Sequence, residues 1–204
     1  MNYIQEEFNE SFKHLKKDPI MKSLINKLGN KITLYDRKDS DLAKAISQLV
    51  IEKQVSFKAA ITIKKRFKNL IADLSYKEII LIENEKLKSI GISYRKVENI
   101  KNVYTYFLTT NFDFYSKSSE SVIKELIKIK GIGKWTSEMF LIFILFDKDV
   151  FSKGDLALIN SIKINYNISD LTNEILDQIT IKWSPHRTIA SLLLWESIEN
   201  KIFA

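Results

Sequence analysis

Apolar residues recur along most of the chain at the three- and four-residue spacing of an α-helix, and 5 Gly and 2 Pro among 204 residues leave few breakers. The clearest stripe is Leu42, Ile46, Leu49 and Val50, behind a start at Asp39 or Ser40. A basic amphipathic helix is predicted over 57–74; from Lys58 to Lys68 it holds five basic residues and no acidic one. Such a face is either solvated or built for a polyanion. Leu81 to Ile90 predicts a helix ended by Gly91, and the next starts near Ser93 and runs through Tyr104. Asn111 to Ser119 is aperiodic and reads as a loop, with Ser119 capping a helix to about Ile129. Met139 to Phe146 is an apolar run that predicts a buried helix, being far short of the roughly 20 residues that cross a bilayer. From Leu156 the helical pattern resumes, broken around Asn165 to Ser169 and at Ser184-Pro185. The pattern predicts an all-α protein without internal repeats, and residues 1–19 carry no assignment.

Composition narrows the chemistry. With 45% apolar and 28% charged residues the chain builds a core rather than staying disordered. Cys 0 and two histidines, His14 and His186, exclude an iron–sulfur cluster, a thiolate zinc site and a disulfide framework. Neither histidine stands at ligand spacing to the other, so both read as surface or packing residues. The N-terminus lacks the basic and apolar regions of a signal peptide, which fits a cytoplasmic protein without a membrane. A net charge of +7 points to a polyanionic partner.

The most informative stretch is Leu126 to Thr136, which reads helix, Gly131-Ile132-Gly133 turn, helix. A dinucleotide fingerprint needs a preceding strand and a third glycine at 136, where the chain has Thr136, so that reading fails. A helix-hairpin-helix remains. Its glycines permit positive φ and close backbone approach, and the N–H groups opening the second helix favour an anion such as a DNA phosphate. Lys128, Lys130 and Lys134 surround the turn. The bland alternative is an ordinary short loop between antiparallel helices. Further on, Asp155 stands after Gly154 and before Leu156-Ala157-Leu158, where it is a good helix N-cap on its own terms.

Taken in order, EKQVSFKAA (52–60), SIGISYRKVENI (89–100), GIGKWT (131–136), DVFSKGDLAL (149–158) and KWSPHR (182–187) resemble the helix-hairpin-helix DNA glycosylase superfamily, of the 3-methyladenine DNA glycosylase II type. The resemblance covers about residues 40–197. It implies two helical lobes with a central cleft, one made of 1–38 with 150–204 and carrying the acid, the other of 39–149 and carrying the hairpin. It implies that Asp155 is catalytic and that the hairpin, with Lys130, Gly131, Ile132, Gly133, Lys134 and Thr136, holds a DNA phosphate. No cofactor is implied beyond a monovalent cation at the hairpin carbonyls. Strand-cutting members carry a lysine nucleophile where this chain has Trp135, so the implied enzyme is monofunctional. Trp135 and Trp183 are the implied base-pocket walls, Tyr94 the wedge with Ile92 beside it, and Gln54 the polar probe.

Each of these residues has a plain structural alternative: core packing for the tryptophans, a half-packed surface ring for Tyr94, a surface amide for Gln54, a cap for Asp155. Two positions depart from the family pattern. Ser152 replaces a proline and is expected to loosen the Asp155 loop, and His186 replaces an aromatic and puts a pocket wall in doubt. The implied partner is double-stranded DNA containing damaged bases, taken by a monomer, with alkylated purines such as 3-methyladenine as substrate. Alternatives are a glycosylase of this fold for a deaminated or oxidised base, a non-catalytic helix-hairpin-helix binder of distorted DNA, and an all-α interaction protein.

Overall fold

The computed structural model describes residues 3–34, 37 and 39–204. In chain order the helices are α1 (Tyr3–Leu15), α2 (Pro19–Leu28), α3 (Leu42–Glu52), α4 (Phe57–Ile71), α5 (Tyr76–Leu81), α6 (Asn84–Ser89), α7 (Tyr94–Phe107), α8 (Ser119–Leu126), α9 (Lys134–Phe143), α10 (Leu156–Asn165), α11 (Asn173–Thr180) and α12 (Arg187–Asn200). A single 3-10 turn, Ile181–Trp183, precedes α12, and no strand occurs among the described residues. The protein is all-α, as its periodicity predicts.

The chain divides into a unit of residues 1–36 with 146–204 and a unit of residues 37–145. Lys38, the end of the first segment in the expected division, lies outside the described residues. In the first unit α12 lies against α10, α2 and α1. Met21, Leu24, Leu28, Ile162, Leu193 and Leu194 are fully or almost fully buried there. Helix α12 buries Ile189, Ala190, Leu192, Leu193 and Leu194, which lie on more than one face, as a helix enclosed by its neighbours does. In the second unit α7 lies against α3, α5 and α6, and α9 against α3 and α8. The predicted stripe on α3 faces this core, with Ile46 at 0% exposure and Leu49 and Val50 below 5%.

Side-chain caps decide several boundaries. Asp41, not Asp39 or Ser40, caps α3 by accepting the Lys44 N–H. Ser118, one residue before the predicted Ser119, caps α8 by accepting the Ser121 N–H. Helix α4 ends at Ile71, ahead of the predicted Leu74. The helix predicted over 81–90 is α6, which starts at Asn84; Leu81 instead ends α5, which a capping box of Ser75 and Glu78 starts, and Ile82 and Glu83 turn extended between the two. Lys101 Nζ then donates to the Ile82 carbonyl at 2.6 Å, satisfying an acceptor the break exposes. Within the unassigned N-terminal stretch Asp18 caps α2, with Pro19 as its first residue. No described helix is long and apolar enough to cross a membrane.

Candidate active site

Asp155 sits where an extended segment meets α10. Its own N–H donates to the Ser152 carbonyl at 3.1 Å, closing a tight turn through Lys153 and Gly154. Its Oδ1 accepts the Leu158 N–H at 3.0 Å, so the acid is indeed an N-cap. The same oxygen also accepts the indole N–H of Trp195 at 3.1 Å, a bond that capping does not require. Asp155 is 8% exposed, whereas the next residue, Leu156, is 77% exposed. The carboxylate is therefore held in a nearly dry setting beside an open surface, where a charge is felt more strongly than in water. Ser152, which stands in this loop in place of a proline, is fully buried, and its carbonyl accepts the Asp155 N–H.

The one residue of this unit that the resemblance places in a base pocket, Trp183, is structural. Trp183 has 0% exposure, its ring lies 5.8 Å from that of Phe151, and its Nε1 donates to Asp18 at 3.4 Å. With no open face it cannot stack on a base, and that assignment is corrected. His186 is also buried, hydrogen-bonded to the Ser11 hydroxyl at 3.0 Å with its ring 5.1 Å from that of His14. Burial first, and the neighbouring His14 second, hold its imidazole below the usual histidine range. Asp149 receives both Nε and Nη2 of Arg187, at 2.7 and 2.9 Å, along with the Ser184 hydroxyl, and so ties the start of the acid-bearing segment to α12.

In the second unit the 131–133 turn has the geometry its glycines predict. Gly131 stands at φ +96, and a Cβ there would come within 1.9 Å of Asn99 Oδ1 on α7. Asn102, one turn further along α7, donates to the Lys130 carbonyl at 3.0 Å. The Ile132 N–H donates to the Ile129 carbonyl at 2.9 Å, and Ile132 is buried as the anchor of the turn. Gly133 takes the N-cap position of α9, and a Cβ placed on it would have no atom within 4 Å. Open space thus lies in front of a helix N-terminus, whose leading N–H groups have no acceptor within the helix. Thr136, on the first turn of α9, is buried at 2% exposure. Lys130 and Lys134 are exposed; Lys134 stands 3.8 Å from Glu138, whereas Lys128 is tied to Glu125 at 2.7 Å and adds less field than its position implies.

A chain of contacts runs from the hairpin to the other candidate residues of this unit. Trp135 is half-buried on the first turn of α9, and the Lys53 ammonium lies 5.8 Å from its ring centroid. The Lys53 carbonyl in turn accepts from Lys96 of α7, which also donates to the Ile51 carbonyl at 2.8 Å. Burial, and then Lys53, lower the affinity of Lys96 for its proton. These bonds brace the end of α3, where Gln54 projects in the left-handed region at φ +59, exposed. An unsupported residue of this type rarely takes that conformation. Tyr94 opens α7 and is 51% exposed, next to a Gly91 turn at φ +103 that is closed against Ile63 of α4. Ile92 is buried and not available as a second wedge.

An all-α protein with a glycine hairpin before a helix N-terminus, and a near-buried aspartate capping another helix, has the parts of a helix-hairpin-helix DNA repair protein. A family model described as HhH-GPD superfamily base excision DNA repair protein matches residues 47–186, and the chain belongs to that superfamily. The DNA-3-methyladenine glycosylase 1 of Schizosaccharomyces pombe is 28% identical over 191 residues, covering 88% of this chain and 82% of that protein. The DNA-3-methyladenine glycosylase of Saccharomyces cerevisiae is 26% identical over 240 residues, covering 94% and 80%. A solved structure of an S. pombe 3-methyladenine DNA glycosylase in complex with abasic DNA superposes with a TM-score of 0.81 at 27% identity, covering 93% of this chain and 97% of that one.

Trp195 and the Lys53–Lys96 brace escaped the sequence reading. Trp195 lies 40 positions beyond Asp155 on a helix that is apolar on several faces, so no local signal marks it. Lys96 stood inside a quoted segment, but a lysine reaching across to carbonyls of another helix leaves no trace in spacing.

Proposed function

We propose that the protein is a monofunctional DNA glycosylase that releases alkylated purines, such as 3-methyladenine, from duplex DNA. The observation that carries this reading is Asp155, an acid nearly withdrawn from water and fixed by two donors, in a chain whose relatives are named for this activity. The target nucleotide is extruded from the stack at a cost of a few kcal/mol, which damage lowers. As the C1′–N bond breaks, the base leaves with the bonding electron pair and the sugar becomes an oxocarbenium-like cation. The Asp155 carboxylate stabilises that charge, orients a water towards C1′ and takes its proton as the new C–O bond forms. The products are free base and an abasic site.

Gly131 to Thr136 serves as the phosphate dock, with Lys130 and Lys134 adding field and backbone N–H groups making the contacts. A monovalent cation at the hairpin carbonyls is part of this reading: those of Ile129 and Lys130 each accept a hydrogen bond, and a carbonyl oxygen has a second lone pair to offer. Bound at those oxygens it would add positive charge for the phosphate. Trp135 supplies a stacking face, Tyr94 fills the gap left by the extruded base, and Gln54 contacts the strand. Trp135 in place of a lysine leaves no amine at that position to form a Schiff base, so the strand stays intact. The protein acts as a monomer in the compartment that holds the DNA.

The test is incubation with duplex DNA carrying methylated purines. Free base appears, the strand breaks only on alkaline treatment, and borohydride traps no covalent complex. A borohydride-trapped complex sinks the monofunctional reading, and DNA binding without release of any base moves the protein to the non-catalytic class.

A further inference from the structure

We propose that Trp195 is a positioning residue for the catalytic step, acting through Asp155; the inference rests on the catalytic reading of Asp155 and deepens it. A helix N-cap needs one bond, from its side chain to an N–H of the first turn, and Asp155 has it in the Leu158 N–H at 3.0 Å. The Trp195 indole adds a second donor to the same Oδ1, from a different helix. One donor leaves a carboxylate free to swing about its Cβ–Cγ bond. Two donors from different directions set the plane of the carboxylate, and with it the direction it presents to a reacting sugar.

The second donor is itself held. Helix α12 is fastened to α10 by a buried hydroxyl pair, Ser161 with Ser197 at 2.7 Å, which Asn165 Nδ2 joins at 3.2 Å from Ser197 Oγ. These bonds fix the backbone of α12 against α10 two residues from Trp195, so the helix that carries the indole is anchored to the helix that Asp155 caps. Trp195 is only partly buried, and its N–H is directed at the carboxylate rather than left to water. A group held to within a small angle by two helices is what a carboxylate needs to meet a transient charge without reorganising first.

Trp195→Phe removes the N–H and keeps most of the ring. The expected result is a fall in the single-turnover rate of base release of about ten- to hundredfold, from one lost hydrogen bond to a charged group. Affinity for abasic DNA stays within about twofold. In an Asp155→Asn background the same substitution adds less than about twofold, because its target charge is already gone. Trp195→His can return an N–H donor and recovers part of the rate. Should the Phe variant melt below the assay temperature, the His variant and the cycle with Asp155→Asn carry the test.

A wild-type rate in Trp195→Phe, or a loss that multiplies in full with that of Asp155→Asn, overturns the inference and leaves Trp195 as packing alone. A folded Asp155→Asn with wild-type activity overturns instead the catalytic reading on which the inference stands.

Discussion

Gly131→Ala tests whether the hairpin is held by α7 in the conformation that exposes the α9 N-terminus. Two costs follow from the structure. At φ +96 an L-residue pays about 1–2 kcal/mol for a backbone conformation that glycine takes freely. The added methyl also falls 1.9 Å from Asn99 Oδ1, so Asn99 must change rotamer or the turn must shift, at about 0.5–1.5 kcal/mol. Stiffening of the unfolded chain returns about 0.4–1 kcal/mol. The net loss is about 2 kcal/mol, which for a domain of this size lowers Tm by about 4–8 °C.

The assay is thermal unfolding alongside binding to abasic DNA. The variant should lose affinity as well as stability, because the turn that presents the N–H groups has moved. Adding Asn99→Ala removes the clash but not the backbone strain, and should recover about half the stability. Gly133→Ala is the contrast: its backbone is extended and its Cβ meets nothing within 4 Å, so stability changes by less than about 1 kcal/mol while a methyl enters the space a phosphate would take. A Tm for Gly131→Ala within 1 °C of wild type, or an equal loss in both glycine variants, refutes this account of the turn.

Lys53→Met should raise release of cationic methylated purines relative to neutral lesions by about twofold, since the ammonium lies 5.8 Å from the Trp135 ring and a positive base stacked on the far face would lie about 9 Å from it, a repulsion of about 0.5 kcal/mol at the dielectric of water; competition between the two lesion types in one reaction reads it. Thermal stability should fall as the pH is lowered from 7.5 to 5. Burial and His14 depress the folded-state affinity of His186 for its proton below the ordinary 6.5, so the unfolded chain binds more protons in that window. That contribution is complete above about pH 6.5 and is lost as the pH falls through the folded value. His14, Glu10, Asp149 and Lys148 also bear on this imidazole. His186→Gln should flatten the dependence, and an unchanged slope would show that another group sets it.

The parts of the site that local chemistry determines were legible in the sequence. Gly131 shows in the φ its turn requires, and Asp155 in its place between a glycine and a helical run. What the sequence could not separate was the set of aromatic residues. Trp135 and Trp183 carry the same side chain within motif segments, yet one is half-buried and the other is sealed among Phe151, Tyr166 and Asp18. Tertiary packing decides that difference, and periodicity in a helix apolar on several faces does not report it. The α5–α6 break was missed because apolar spacing runs on through Ile82, while the Ser75–Glu78 box shifts the start of the helix and a lysine from α7 satisfies the exposed end. The burial of Ser152 and the bond from the Asp155 N–H to its carbonyl depend on the packing around the loop, which the motif alone does not report.

The measurement that reaches the central claim most directly is the single-turnover rate of 3-methyladenine release by wild type and by Asp155→Asn, with unfolding curves for both. Asn caps a helix about as well as Asp and can still accept the Leu158 and Trp195 N–H groups, so the fold and DNA binding should be nearly unchanged. The account predicts release by wild type and a rate at least about a hundredfold lower in the folded variant, because the charge opposite the developing cation is gone. Equal rates in two equally stable proteins would reduce Asp155 to a helix cap and contradict the mechanism.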